Sequence, residues 1–141
     1  MKIFVDTGAF YALIDRDDPY HLSARKCWSE ILAGEDLLVL TNYIVSESYT
    51  LLRYRLSFQV AADFIDRLEA SASRGRTLVV SGGKEYERRA REILLDFQEQ
   101  DLSYTDGISL AVIEILHIPR VFSYDRHFSL AGVKVVPGRG Q

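Results

Sequence analysis

Along this chain, short unbroken apolar runs alternate with longer segments whose apolar residues recur every three or four positions. Ile3-Phe4-Val5 is the first such run, the pattern of a strand buried on both faces. It ends at Asp6, and after Gly8 a second run, Ala9 to Ile14, reads as a helix. Asp15 to Pro19 is a turn, and a helix is predicted over 20–33, stopped at Gly34. Leu37 to Thr41 is a second buried strand. Asn42 reads as the N-cap of a helix over 43–55, and Ser57 as the cap of another over 58–73. Thr77 to Val80 is a third strand. The helix predicted over 84–100 is rich in charge, with Glu85–Arg89, Glu87–Arg91 and Arg88–Glu92 spaced for pairing along a solvated face. Ser103 or Thr105 caps a strongly apolar helix that ends near His117, where Pro119 blocks its continuation. Strands over 120–123 and 133–136 enclose a short helical turn over 125–130. Strands alternating with helices predict an α/β fold, a parallel sheet of about five strands with helices on both faces.

Composition changes this picture little. The 141 residues read as one domain, residues 1–141, with 48% hydrophobic and 26% charged positions. No apolar run approaches the ~20 residues of a membrane span, and Asp6 and Asp15 interrupt what could otherwise read as a signal peptide. A single cysteine, Cys27, excludes an internal disulfide, suits a reducing cytoplasm, and is expected to pack beside Trp28. The net charge of −3 argues at first against a nucleic-acid partner. Two details weaken that objection. Thirteen of the 17 basic residues are arginine, the side chain best matched to phosphate, and acids committed to a metal would leave the remaining surface slightly positive.

The acids carry the chemistry. Asp6 ends the first strand, Glu47 lies just over a turn into the helix after the second, Asp106 begins the most apolar helix, and Asp125 follows the fourth strand. In a parallel sheet all four lie at one edge, beyond the carboxyl ends of the strands, where such folds bind ligands. Glu47, with Ile44 and Leu51 at i−3 and i+4, is expected to face the sheet. Taken singly, Asp6 and Asp106 could be helix-end charges and Asp125 a turn residue. Taken together, carboxylates at close range require protons or a cation, and hard oxygen donors select Mg²⁺ or Mn²⁺. Zinc is not expected, because His21, His117, His127 and Cys27 lack ligand-like spacing. His127 is the one histidine near the acids, where it either assists them or serves the structure.

These segments resemble the PIN-domain ribonucleases, in particular the VapC-type toxins of toxin–antitoxin pairs. The resemblance rests on Val5-Asp6-Thr7-Gly8-Ala9, Ser46-Glu47, Tyr104-Thr105-Asp106-Gly107-Ile108 and Ser123-Tyr124-Asp125-Arg126-His127-Phe128, in the family's order across the whole chain. It implies a five-stranded parallel sheet and a Mg²⁺- or Mn²⁺-dependent endoribonuclease. Asp6, Glu47, Asp106 and Asp125 would be its catalytic quartet; Asp6, Asp106 and Asp125 would hold the metal, and Thr7 would put a hydroxyl near its shell. Gly8 departs from the family pattern, in which serine or asparagine is common, so one polar contact is absent. The resemblance further implies an RNA substrate, a cognate antitoxin and a homodimer, for which Tyr49, Leu52, Leu56 and Phe64 offer apolar surface.

Other chemistries fit less well. Asp6-Thr7-Gly8-Ala9 also matches the catalytic turn of aspartic proteases, but that chemistry needs two such turns in a mostly β fold. A phosphorylatable receiver domain would want an aspartate after the third strand, where this chain has Ser81-Gly82-Gly83. The alternative that stays open is a non-catalytic RNA- or protein-binding PIN-like module. Tyr43, Tyr49, Tyr54 and Phe58 could stack bases in it, although at helical spacing such residues are more often core.

Overall fold

Strand β1 (Lys2–Val5) is enclosed on all sides: Ile3, Phe4 and Val5 have no exposed surface. In a computed structural model describing residues 1–138, β1 is the centre of a five-stranded, wholly parallel sheet. The other strands are β2 (Leu37–Thr41), β3 (Thr77–Val80), β4 (Arg120–Phe122) and β5 (Lys134–Val136), in the spatial order β3-β2-β1-β4-β5. A strand paired on both edges and covered on both faces has no polar side to present. That is why β1 and most of β2 read as unbroken apolar runs.

The connections are helical. α1 (Thr7–Ile14) and α2 (His21–Ala33) join β1 to β2; α3 (Asn42–Arg55) and α4 (Phe58–Ser73) join β2 to β3. α5 (Lys84–Asp96) and α6 (Tyr104–Ile115) lead from β3 back across the sheet to β4, and a 3₁₀ helix (Arg126–Ala131) leads to β5. The first two crossovers step in one direction along the sheet and the third steps back. Right-handed crossovers therefore place α1–α4 on one face and α5–α6 on the other. The packing agrees, since α1 meets α2 and α3, α3 meets α4, and α5 meets α6.

Several boundaries differ from expectation, each for a local reason. Thr41, not Asn42, caps α3: its Oγ1 accepts from the Ile44 amide at 3.1 Å, and Asn42 is already the first helical residue. α5 ends at Asp96 rather than near residue 100, with Phe97 leaving helical geometry. Arg89 does not pair with Glu85. It reaches across to Glu114 of α6 (Nε–Oε2 2.5 Å) and toward Glu92, so its charge ties two helices together. α6 is capped by Ser103 and stops at Ile115, and His117 takes φ 53° just before Pro119. Leu52 and Phe64 lie inside the molecule's own core, so neither is available to a second copy.

At the amino edge of the sheet, Asp36 binds the Arg120 guanidinium and lies 3.5 Å from the amino group of Met1. This cluster joins the starts of three strands. The carboxyl edge is built differently.

Candidate active site

The carboxyl ends of β1 and β4 lie side by side. Val5 is in register with Phe122, and the Asp6 amide continues the ladder by donating to the Phe122 carbonyl at 3.1 Å. Asp6 and Ser123 are therefore neighbours, and the Ser123 hydroxyl donates to Asp6 Oδ2 at 3.0 Å. The same serine oxygen accepts from the Asp125 amide at 2.9 Å, so one buried hydroxyl fixes two of the acids. Ser123 stands at the head of a motif quoted from the sequence, which gave it no role of its own. The signal was its position one residue beyond a strand paired with β1.

Asp6 precedes α1 in extended geometry, yet its side chain makes no capping bond to that helix. The carboxyl is 7% exposed, and its pKa rises from 3.8 to about 7. Burial is the main cause. The Ser123 hydrogen bond and the Thr7 amide pull the pKa down, and Asp106 and Asp125 push it up.

Asp106 is the third residue of α6 and completes a capping box. The Ser103 amide donates to its Oδ2 at 3.0 Å, while its own amide donates to Ser103 Oγ. Asp125 caps the 3₁₀ helix, with Oδ1 accepting from the His127 amide at 2.9 Å. In both, one oxygen is held by the local turn. The other has no hydrogen-bond partner among the described residues. The helix-end and turn readings of these two acids are therefore correct, and they orient the side chains toward a common recess.

That recess has a volume of about 490 Å³ and is lined by Asp6, Thr7, Gly8, Glu47, Asp106 and the segment Tyr124 to His127. All four sequence-nominated acids thus share one wall. Glu47 arrives there differently from the expectation that it faces the sheet. The buried stripe of α3 is Ile44, Ser48 and Leu52, which leaves Glu47 one step around the helix, exposed on the rim. The tightest grouping is also not the expected one. Carboxylate oxygens of Asp106 and Asp125 and a ring nitrogen of His127 lie within 4.8 Å of one another, and Asp6 lines the same recess outside that trio. His127 Nδ1 is 2.9 Å from Asp125 Oδ1 but lacks hydrogen-bond geometry, and is left without a partner. Thr7 Oγ1, buried at the start of α1 and lining the same recess, also has no partner. The carboxylates and the orphaned hydroxyl form an oxygen-rich donor set that suits a hard divalent cation, and the imidazole nitrogen beside them is a softer donor.

A larger hollow, about 780 Å³, lies elsewhere, between α1, α2, α4 and the sheet. It is walled mainly by Phe10, Leu13, Trp28, Phe64 and Leu68, and it contains no comparable cluster of reactive groups. Size alone would select it; chemistry selects the smaller recess.

Comparison with known proteins gives a consistent result. The PIN-domain family profile matches residues 3–134. A VapC ribonuclease of Archaeoglobus fulgidus is 33% identical over 132 residues, covering 92% of this chain and 81% of that protein. The 23S rRNA-specific endonuclease VapC20 of Mycobacterium tuberculosis is 30% identical over 138 residues, covering 96% and 98% of the two chains. The crystal structure of M. tuberculosis VapC20, described as a sarcin-ricin loop cleaving toxin, superposes with a TM-score of 0.79 at 27% identity, over 93% of this chain and 95% of that one.

Proposed function

Because the chain belongs to the PIN-domain family, within its VapC group, we propose that it is a divalent-metal-dependent endoribonuclease and the toxin of a toxin–antitoxin pair. The observation that carries this reading is the convergence of Asp6, Glu47, Asp106 and Asp125 on one recess from four separate segments. Asp6, Asp106 and Asp125 would hold Mg²⁺ or Mn²⁺, with His127 and the Thr7 hydroxyl beside them. When bound, such an ion supplies charge stabilisation at phosphoryl oxygens and lowers the pKa of water.

The chain's own residues supply the rest. Ser123 fixes the orientation of Asp6, and the capping box fixes that of Asp106, so neither carboxylate has to reorganise during the reaction. Burial disfavours the charged form of Asp6 in the metal-free protein, and a bound cation would favour it. Glu47, exposed on the rim, is the acid free to orient an attacking water and take its proton. Arg126, also on the rim, offers the one guanidinium that lines the recess among the described residues.

A cognate antitoxin and a homodimer belong to the same proposal, supported by membership of the family and the relatives' names. Tyr49 and Leu56 remain partly exposed for a second copy, and the apolar hollow between α1, α2 and α4 is a surface suited to a partner segment. No helix among the described residues is long and apolar enough to cross a membrane.

The test is cleavage of a mixed-sequence RNA pool in Mg²⁺ or Mn²⁺, in excess EDTA, and with Asp125→Asn. Metal-dependent cutting lost in the variant supports the reading. Cutting that persists in EDTA contradicts it, and RNA binding without any cutting would favour the non-catalytic module.

A further inference from the structure

Two tyrosine pairs are built on segments that carry or adjoin the acids: Tyr124 lines the acidic recess, and Tyr43 lines a second groove that shares Glu47 with it. On the β4 side, Tyr20 at the start of α2 and Tyr124 stack face to face, with ring centroids 4.4 Å apart and planes 16° from parallel. On the β2 side, Tyr43 in α3 and Tyr104 in α6 meet edge to face at 5.7 Å and 69°. The sheet order β2-β1-β4 puts the end of β1, and hence Asp6, between them.

Each pair has the same construction. The inner ring, Tyr124 or Tyr43, packs against the hydrophobic core. Tyr124 is further fixed by a 2.6 Å hydrogen bond shared with Ser23. The outer ring is open to solvent, Tyr20 at 54% and Tyr104 at 49% exposure. Both pairs adjoin the acids directly: Tyr124 precedes Asp125, Tyr104 is two residues before Asp106, and Tyr43 is one helical turn before Glu47. Core packing explains the inner rings but not two half-exposed rings held by aromatic contact.

Charge adds a second argument. The recess itself is lined by four carboxylates and, among the described residues, by one guanidinium, that of Arg126, so it offers few contacts to phosphate. Base stacking on aromatic rings is a further source of affinity, and it tolerates an acidic surface.

We propose that the two tyrosine pairs are nucleobase platforms flanking the scissile phosphate, with Tyr20 and Tyr104 taking the bases. A duplex offers no free base faces to such rings. The proposal rests on the nuclease reading above and deepens it.

The experiment is steady-state cleavage of a mixed-sequence single-stranded RNA pool, and of the same pool annealed to its complement. The enzymes are the wild type, Tyr20→Ala, Tyr104→Ala, the matching tryptophan variants, and Leu22→Ala as an exposed control on α2. Each alanine variant should raise KM on single strands by roughly tenfold with kcat nearly unchanged. Tryptophan should restore KM, the salt dependence should stay as in the wild type, and the duplex should be a poor substrate for all. Alanine variants with unaltered KM, tryptophan variants that fold but fail to restore it, or efficient cutting of the duplex would each overturn the platforms and leave the nuclease standing. A change in sedimentation in place of a change in KM would identify the rings as a subunit contact and overturn the proposal too. A wild type that cuts no RNA removes the nuclease reading, and the platforms with it.

Discussion

Asp6 shows how one side chain reports on a site. Its folded pKa of about 7 against an ordinary 3.8 means that the metal-free native state binds a proton the unfolded chain has lost. The stability associated with that proton is fully present below about pH 4 and is lost as pH rises through about 7. Asp6→Asn removes the titrating group at nearly constant shape. In EDTA the variant should match the wild type near pH 4 and exceed it by about 1–3 kcal/mol at pH 8, read from urea melts across that range. Were Asp6 only a helix cap, the two curves would coincide, since asparagine caps nearly as well. Thr7 gives a companion result. Replacing its buried, unpartnered hydroxyl with the isosteric Thr7→Val should raise metal-free stability by about 1 kcal/mol and weaken Mn²⁺ binding in calorimetry. Not every residue was legible in this way. Glu47 lines the recess without facing the sheet as expected, because apolar neighbours at i−3 and i+4 do not settle which side of a stripe a residue takes. Ser123 was hidden because its role depends on the pairing of β1 with β4, which no local pattern encodes.

At the scale of elements, the strands were the most legible part, because a strand enclosed on both faces leaves an unbroken apolar run. Helix ends were less so. Thr41 displaced Asn42 as a cap because the hydroxyl already sits at the end of β2, one residue earlier in the turn. The i,i+4 pairs expected on α5 gave way to an Arg89–Glu114 contact between helices, which depends on α5 packing beside α6. That packing is close at Gly107, where a Cβ would meet Leu94 Cγ at 2.9 Å. Gly107→Ala should therefore destabilise the protein by about 1–3 kcal/mol in thermal or urea melts. It should also lower cleavage further than the stability loss explains, because Gly107 follows Asp106 and moving α6 moves that carboxylate. Glu114→Gln, on the exposed side of the same helix pair, should change stability by less than about 1 kcal/mol.

At the scale of the molecule, the parallel topology does the assembling. Asp6, Glu47, Asp106 and Asp125 are spread over most of the chain, yet Asp6 and Asp125 follow β1 and β4, Glu47 lies in the helix directly after β2, and β1 lies between the two strands whose connections carry Glu47 and Asp125. The fold class could be read from the order of apolar runs, and the shared edge followed from it. The composition of the innermost group could not, because the nearness of His127 to Asp106 depends on how the 3₁₀ helix folds back. If the cluster is one site, Mn²⁺ should raise the melting temperature of the wild type by mass action and that of Asp6→Asn much less. The most direct test is a cycle of variants, measuring Mn²⁺-dependent RNA cleavage by the wild type, Asp6→Asn, Asp106→Asn and the double variant. Residues that act as a unit are not additive, so each single variant should lose nearly all activity, and the double variant should be no worse than either. Cleavage at the wild-type rate by either single variant, or two partial losses that simply multiply in the double variant, would contradict a shared centre.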